Sequence, residues 1–182
     1  MTLPANVTTG IWTLDPSHSE IGFTVRHAGI SKVRGQFTDA AATLDLTENV
    51  TDSKVNASIK TASFDSGDAN RDGHVRGGDF FDVETFPEIS FVSSTIVPKG
   101  DAYELQGDLT IKGITRPVAL ETEFNGVAVD PFGNTRAGLS AETTISRKDF
   151  GLTWNAVLDA GGVLVSDKVA INLELAFIAP AA

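Results

Sequence analysis

Residues 103–112 read YELQGDLTIK. Tyr103, Leu105, Gly107, Leu109 and Ile111 fall on one side of this stretch. Glu104, Gln106, Asp108, Thr110 and Lys112 fall on the other. Successive side chains of an extended chain point to opposite faces, so the alternation predicts a strand with one face in the core and one in water. The same period recurs outward in both directions. Toward the C-terminus, Val118, Leu120, Thr122 and Phe124 oppose Ala119, Glu121 and Glu123, and Ala137, Leu139, Ala141, Thr143 and Ile145 share one face. Val169, Ile171, Leu173, Leu175 and Phe177 then oppose Lys168, Ala170, Asn172, Glu174 and Ala176. Toward the N-terminus, Val55, Ala57 and Ile59 alternate with Asn56, Ser58 and Lys60, and Ala42, Leu44 and Leu46 with Thr43 and Asp45. Ile21, Phe23, Val25 and His27 share a face opposite Glu20, Gly22, Thr24 and Arg26. A short apolar piece, residues 11–14, stops at the turn signal Asp15-Pro16-Ser17.

About eight two-faced strands joined by short turns imply an all-β, mostly antiparallel sheet. An up-and-down barrel closes such a sheet and removes its aggregation-prone edges; a sandwich is the alternative. The inward set mixes large residues with small or hydroxyl ones: Ala42, Ala57, Thr61, Gly107, Thr122, Ala141 and Thr143. A barrel filled by its own side chains needs more bulk than this, so the small residues favour a cavity for one ligand.

Two stretches break the alternation. The first, residues 65–91, is DSGDANRDGHVRGGDFFDVETFPEISF. Asp65 or Ser66 is placed to cap a short helix over 69–75, ended by Gly77-Gly78. On that helix Arg71 and His74 stand three apart on one face. One reading makes them a cationic pair at a cavity mouth, facing an anionic or polar group. The other ties Arg71 to a nearby Asp and His74 to a loop carbonyl. Phe80, Phe81, Phe86 and Phe91 form a plug for one barrel end or one wall of a pocket. The second break, RKDFGLTWNAVLDAGGVLVSD from 147 to 167, offers Arg147 and Trp154. Trp154, near the pair Gly161-Gly162, either covers the sheet or gates an opening.

The chain has 182 residues, 41% hydrophobic and 21% charged, without internal repeat or linker, which places 1–182 in one domain. Its net charge of -10 repels a phosphate backbone, so nucleic acid is not an expected partner. No apolar run is long enough to cross a bilayer, and no stable membrane anchor is expected. Cysteine is absent, which excludes disulfides, thiolate metal sites and thiol nucleophiles. His18, His27 and His74 are far apart, and none forms an HExxH motif, so neither a metal nor a cofactor is expected. His27 continues the apolar face of its strand and reads as an interior histidine. The first residues have no basic and apolar leader pattern, which gives a cytoplasmic expectation; a trimmed mature chain would be periplasmic or secreted.

Several ordered segments resemble the YceI-like family of polyisoprenoid-binding, lipocalin-like proteins. HSEIGFTVRHAGISKVRGQF (18–37) is similar to that family's first hairpin. Arg71-Asp72-Gly73-His74, Phe80-Phe81-Asp82 and Phe86-Pro87 are similar to its central segment, and GDLTIKGITRPV (107–118) and RKDFGL (147–152) to two further motifs. The resemblance implies an eight-stranded antiparallel lipocalin-like barrel with a short helix in the 65–80 region, a homodimer, and a long-chain isoprenoid or fatty-acid-like lipid as ligand. A lipid-binding or carrier protein without catalytic residues is the expectation; the alternatives are an enzyme acting on an isoprenoid or quinone-like lipid, and a stress-response interaction protein whose cavity is incidental. The expected lining is Phe23, Val25, His27, Phe37, Ile59, Phe81, Phe86, Phe91, Leu109, Ile145 and Trp154, with Arg71, His74 and Arg147 as its polar members.

Overall fold

The computed structural model describes residues 2–181. β1 (Gly10–Leu14) and β2 (Glu20–His27) run end to end, parted by a 3-10 turn at Pro16–His18. β3 (Ser31–Phe37) returns beside β2, and β4 (Ala40–Leu46) continues that line beside β1. β5 (Lys54–Lys60) pairs with β4. After a 3-10 turn at Thr61–Ser63, the short β6 (Phe64–Asp65) pairs with β3. The first three staves of the barrel are therefore each built from two pieces. The helix α1 (Ala69–Arg76) follows, and then β7 (Glu88–Lys99), β8 (Ala102–Ile111), β9 (Ile114–Val129), β10 (Thr135–Ser146) and β11 (Val165–Ile178).

β7 lies beside β5, and each strand from β8 to β11 is antiparallel to the one before it. β11 then pairs back onto β1 through Thr13↔Ile178 and Leu14↔Phe177, and onto β2 from Glu174↔Glu20 to Val165↔His27. The ring β1-β4-β5-β7-β8-β9-β10-β11 closes as an eight-stranded antiparallel barrel with one short helix. Closure pairs the edges that an open sheet would expose. The inward phase read from the sequence for residues 103–111, 118–124, 137–145 and 169–177 is the phase observed on β8, β9, β10 and β11.

One end, here the lower, carries the turns after β7 and β9; the upper end carries α1 and the segment 147–164. The lower end is closed by packed side chains. Trp12 is fully buried among Leu14, Leu44, Leu46, Ala137 and Phe177, and its Nε1 donates to the Thr8 carbonyl at 3.0 Å. Beside it the buried Asp15 carboxylate accepts the Ser17 hydroxyl at 2.6 Å and lies 2.8 Å from His18 Nδ1. It also pairs with Arg136, whose Nε donates to Asp130 Oδ2 at 2.8 Å. This charge cluster fastens the first stave to β10 across β11. The Ser17 hydroxyl, then His18 and Arg136, hold the Asp15 carboxyl well below the usual carboxylate range.

Two glycines are used in opposite ways. A Cβ on Gly107 would lie 2.5 Å from both the Phe91 ring and the Val92 carbonyl oxygen, so only glycine fits there. Gly73 sits mid-helix with nothing within 4 Å of a Cβ. Gly107→Ala should destabilise the protein by roughly 1–3 kcal/mol through overpacking. Gly73→Ala should stabilise it by about 0.5–1 kcal/mol by restricting the unfolded chain. Urea unfolding of both variants checks the opposite signs.

The Asp15 cluster carries a pH prediction. A carboxyl whose folded pKa is depressed contributes stability above its unfolded pKa of about 3.9, and that contribution drains away as pH falls below it. Asp15→Asn should lower stability at pH 6 by on the order of 2 kcal/mol. It should also show a smaller further loss between pH 5 and pH 3 than the parent, measured by urea unfolding across that range.

Candidate functional site

Between the packed lower end and α1 the barrel is hollow. A cavity of about 440 Å³ runs from Leu14, Leu44 and Phe177 at its floor to Val33, Trp154 and Leu164 at its top. Along β11 the lining extends from Phe177 to Val165. Below the floor a smaller void of about 90 Å³, lined in part by Leu3, Pro4 and Val7, shares Leu44, Val55, Leu105, Thr122 and Leu139 with the main cavity.

The wall is built as the period-two pattern requires. Phe23, Val25, Phe37, Ile59, Phe81, Phe91, Leu109 and Ile145 all line the cavity, as do Ala42, Ala57, Thr122, Ala141 and Thr143. Phe23, Val25, Phe37 and Ile59 point inward yet are only half-buried, because they face space rather than a packed core. Two small residues make no space. Gly107 lies under the Phe91 ring, and Thr61 is fully buried in the turn before β6, where its hydroxyl donates to the Phe86 carbonyl at 2.8 Å. Phe23, Phe37, Phe64 and Phe81 form a connected aromatic collar, with ring centroids 5.1 to 6.0 Å apart.

The upper end is framed by α1 and the 147–164 segment. The helix starts at neither Asp65 nor Ser66. Asp68 is the cap, accepting the Arg71 N–H at 2.9 Å. Ser66 serves a different purpose: its N–H and hydroxyl donate to the buried Asp72, and Arg71 donates from Nε to its hydroxyl oxygen at 2.7 Å and from Nη2 to its carbonyl at 2.9 Å. Arg71 is thus exposed at the mouth, held by a serine rather than by a carboxylate. His74 meets the Asp79 carboxylate at 2.8 Å rather than a loop carbonyl, and stands edge-on to Trp154 with centroids 4.7 Å apart. Trp154 does not cover the outer sheet. It lines the cavity and packs between His74 and Phe80.

Arg147 is 3% exposed and works as an internal clamp. It donates to the carbonyls of Ser166 (2.9 Å), Leu152 (2.6 Å), Trp154 (2.9 Å) and Val165 (3.3 Å). Burial pulls its pKa down from the arginine range, and the field of Asp167 partly offsets this. The Ser146 hydroxyl and the Lys148 N–H in turn hold Asp167 below the usual carboxylate range.

Three placements depart from the sequence reading. Phe86 lies outside the cavity: its ring packs over Gly113, where a Cβ would come within 3.0 Å of it. The chain turns at Asp82 and Thr61 binds the Phe86 backbone, which points the ring at the β8–β9 hairpin. His27 lines the cavity as its phase predicts, but at the exposed rim rather than in the interior, because it is the last residue of β2. Arg26, assigned by alternation to the outer face, lines the cavity. Beside it β11 carries a bulge: between Val165↔His27 and Val169↔Val25 β11 advances four residues while β2 advances two. The Arg26 N–H is satisfied there by Ser166 Oγ at 3.0 Å instead of by the ladder. Alternation carries no signal for such a bulge.

Comparison with known proteins places this architecture. The YceI-like domain family matches residues 12–177. A UPF0312 protein of Vibrio parahaemolyticus is 38% identical over 156 residues, covering 84% of this chain and 82% of that one. The crystal structure of BcnA from Burkholderia cenocepacia superposes with a TM-score of 0.78 at 26% identity, over 90% of this chain and 98% of that one. A polyisoprenoid binding domain from Saccharophagus degradans shares the fold with a TM-score of 0.69 at 15% identity, over 93% and 98%.

The Arg147 clamp generates a prediction. Arg147→Met leaves buried carbonyls of the 152–166 segment without donors and should destabilise the protein by roughly 3 kcal/mol or more. Hydrogen exchange should quicken first in that segment, and equal protection there in variant and parent would refute the clamp.

Proposed function

This chain belongs to the YceI-like domain family, and from that premise we propose that its barrel is a sleeve for one long apolar lipid chain, a polyisoprenoid or fatty-acid-like molecule that it carries, stores or sequesters rather than transforms. The observation that carries the reading is the cavity itself: about 440 Å³, walled by aliphatic and phenyl side chains along its length, with its charged lining residues gathered at the upper end. That volume lies within the range of small-molecule sites. Each methylene moved from water onto such a wall contributes about 0.8 kcal/mol, so chain length alone supplies affinity, less the cost of ordering the chain. The Saccharophagus degradans domain, described as polyisoprenoid binding, has the same barrel. A binding role fits the polar groups as well: Arg147 is engaged by backbone carbonyls and His74 by Asp79, at one end of the cavity rather than along it.

Solvent extraction of the purified protein, followed by mass spectrometry, should release a long-chain apolar molecule. Delipidated protein should gain thermal stability from added geranylgeraniol or palmitate, by about 2.7 kcal/mol at a hundredfold excess over Kd. Ala57→Leu, which fills part of the cavity, should reduce that gain, and Leu109→Arg should abolish it by placing an unpaired charge on the wall. No extracted lipid and no stabilisation by either compound would refute the sleeve.

A further inference from the structure

Among the described residues, every formally charged side chain that lines the cavity, histidines aside, is an arginine: Arg26, Arg71 and Arg147. Not one Asp or Glu does so, in a chain of net charge -10. The carboxylates at that end are held elsewhere. Asp72 accepts from Ser66, Asp79 meets His74, and Asp167 accepts from Ser146 and Lys148. Among the described residues no carboxylate lies within 4.0 Å of any of the three guanidinium groups. Among those same residues the Arg26 guanidinium makes no hydrogen bond, and that of Arg71 bonds only to Ser66.

The three are joined around the mouth by a chain of contacts. Arg71 and His74 stand one turn apart on α1, His74 packs on Trp154, and the Trp154 carbonyl accepts from Arg147. Arg147 donates to the Ser166 carbonyl, and Ser166 Oγ accepts the Arg26 N–H. The opposite end of the cavity is closed by Trp12, Leu14 and Phe177 and offers no charge.

The geometry points to an anionic amphiphile as the ligand, its carboxylate or phosphate held at the upper mouth by Arg26 and Arg71 in the field of Arg147, and its tail running down toward Phe177; this rests on the reading of the barrel as a lipid sleeve. Guanidinium groups bind carboxylate and phosphate oxygens in paired hydrogen bonds, and unmatched positive charge beside an apolar wall is lowered in energy by a counter-ion. The local cationic mouth also offsets the acidic exterior, which by itself would repel an anion from solution. His74 contributes a wall, its ring packed on Trp154 and its Nε2 engaged by Asp79.

Two pairs of equal chain length test the inference on delipidated protein: palmitate against 1-hexadecanol, and farnesyl phosphate against farnesol, with Kd read from Trp154 fluorescence or by calorimetry. The anionic member of at least one pair should bind about tenfold or more tightly, as expected for hydrogen bonds to a charged group. A preference within the first pair alone assigns a carboxylate, and within the second alone a phosphate. Arg26→Met, in which no hydrogen bond of the folded protein is lost, should reduce the preference severalfold, and Arg26→Met with Arg71→Met should bring it near unity. Equal binding within both pairs, or a preference that survives the double variant, overturns the anionic head while leaving the sleeve intact. Binding of none of the four compounds overturns both.

Discussion

Closure of the sheet is the constraint on which the rest depends. β11 is long enough to pair with both β1 and β2, and its two pairs with β1 complete the ring. Once the ring is closed, every strand has one face enclosed, and the period-two alternation of the chain becomes a difference between inside and outside. The hydrogen-bonded walls then set the interior width, and side chains of fixed size must either fill it or leave it hollow. The lower end is packed by Trp12 and its neighbours around a small void. Above them, alanines and threonines on β4, β5 and β10 leave the wall thin, and a cavity results.

The upper end is assembled by polar contacts rather than by bulk. Arg147 gathers the carbonyls of residues 152, 154, 165 and 166, which an irregular segment cannot satisfy within itself. Ser66 and Asp72 set the start of α1, and Phe80 and Trp154 seal the space between helix and segment. The mouth therefore has an apolar inner surface carried on a hydrogen-bonded frame. Such a frame tolerates exposed arginines at its rim in a way that a packed core does not.

Charge is distributed with the same division. Near the mouth Asp72 accepts from Ser66, Asp79 meets His74, and Asp167 accepts from Ser146 and Lys148. Among the described residues the charged groups that line the cavity, histidines aside, are arginines at its upper end, which the net charge of the chain alone would not have suggested.

By itself the sequence determined the features that local geometry dictates. Alternation along 103–111 and its counterparts specified antiparallel staves, the enclosed face of each, and the lining residues from Phe23 to Ile145. The Gly- and Asp-rich stretch marked the helix. These are properties of a few neighbouring residues, since adjacent side chains in a strand must point apart. The tertiary structure decided whatever depends on chains meeting from far apart. At the β11 bulge Arg26 borders the cavity despite its predicted outer phase, and the turn at Asp82 sent Phe86 out of it. The Phe91 ring occupied the space that Gly107 leaves, and distant carbonyls claimed Arg147. No local period encodes these outcomes, because each is fixed by cross-strand register and by which atoms compete for one volume or one hydrogen bond.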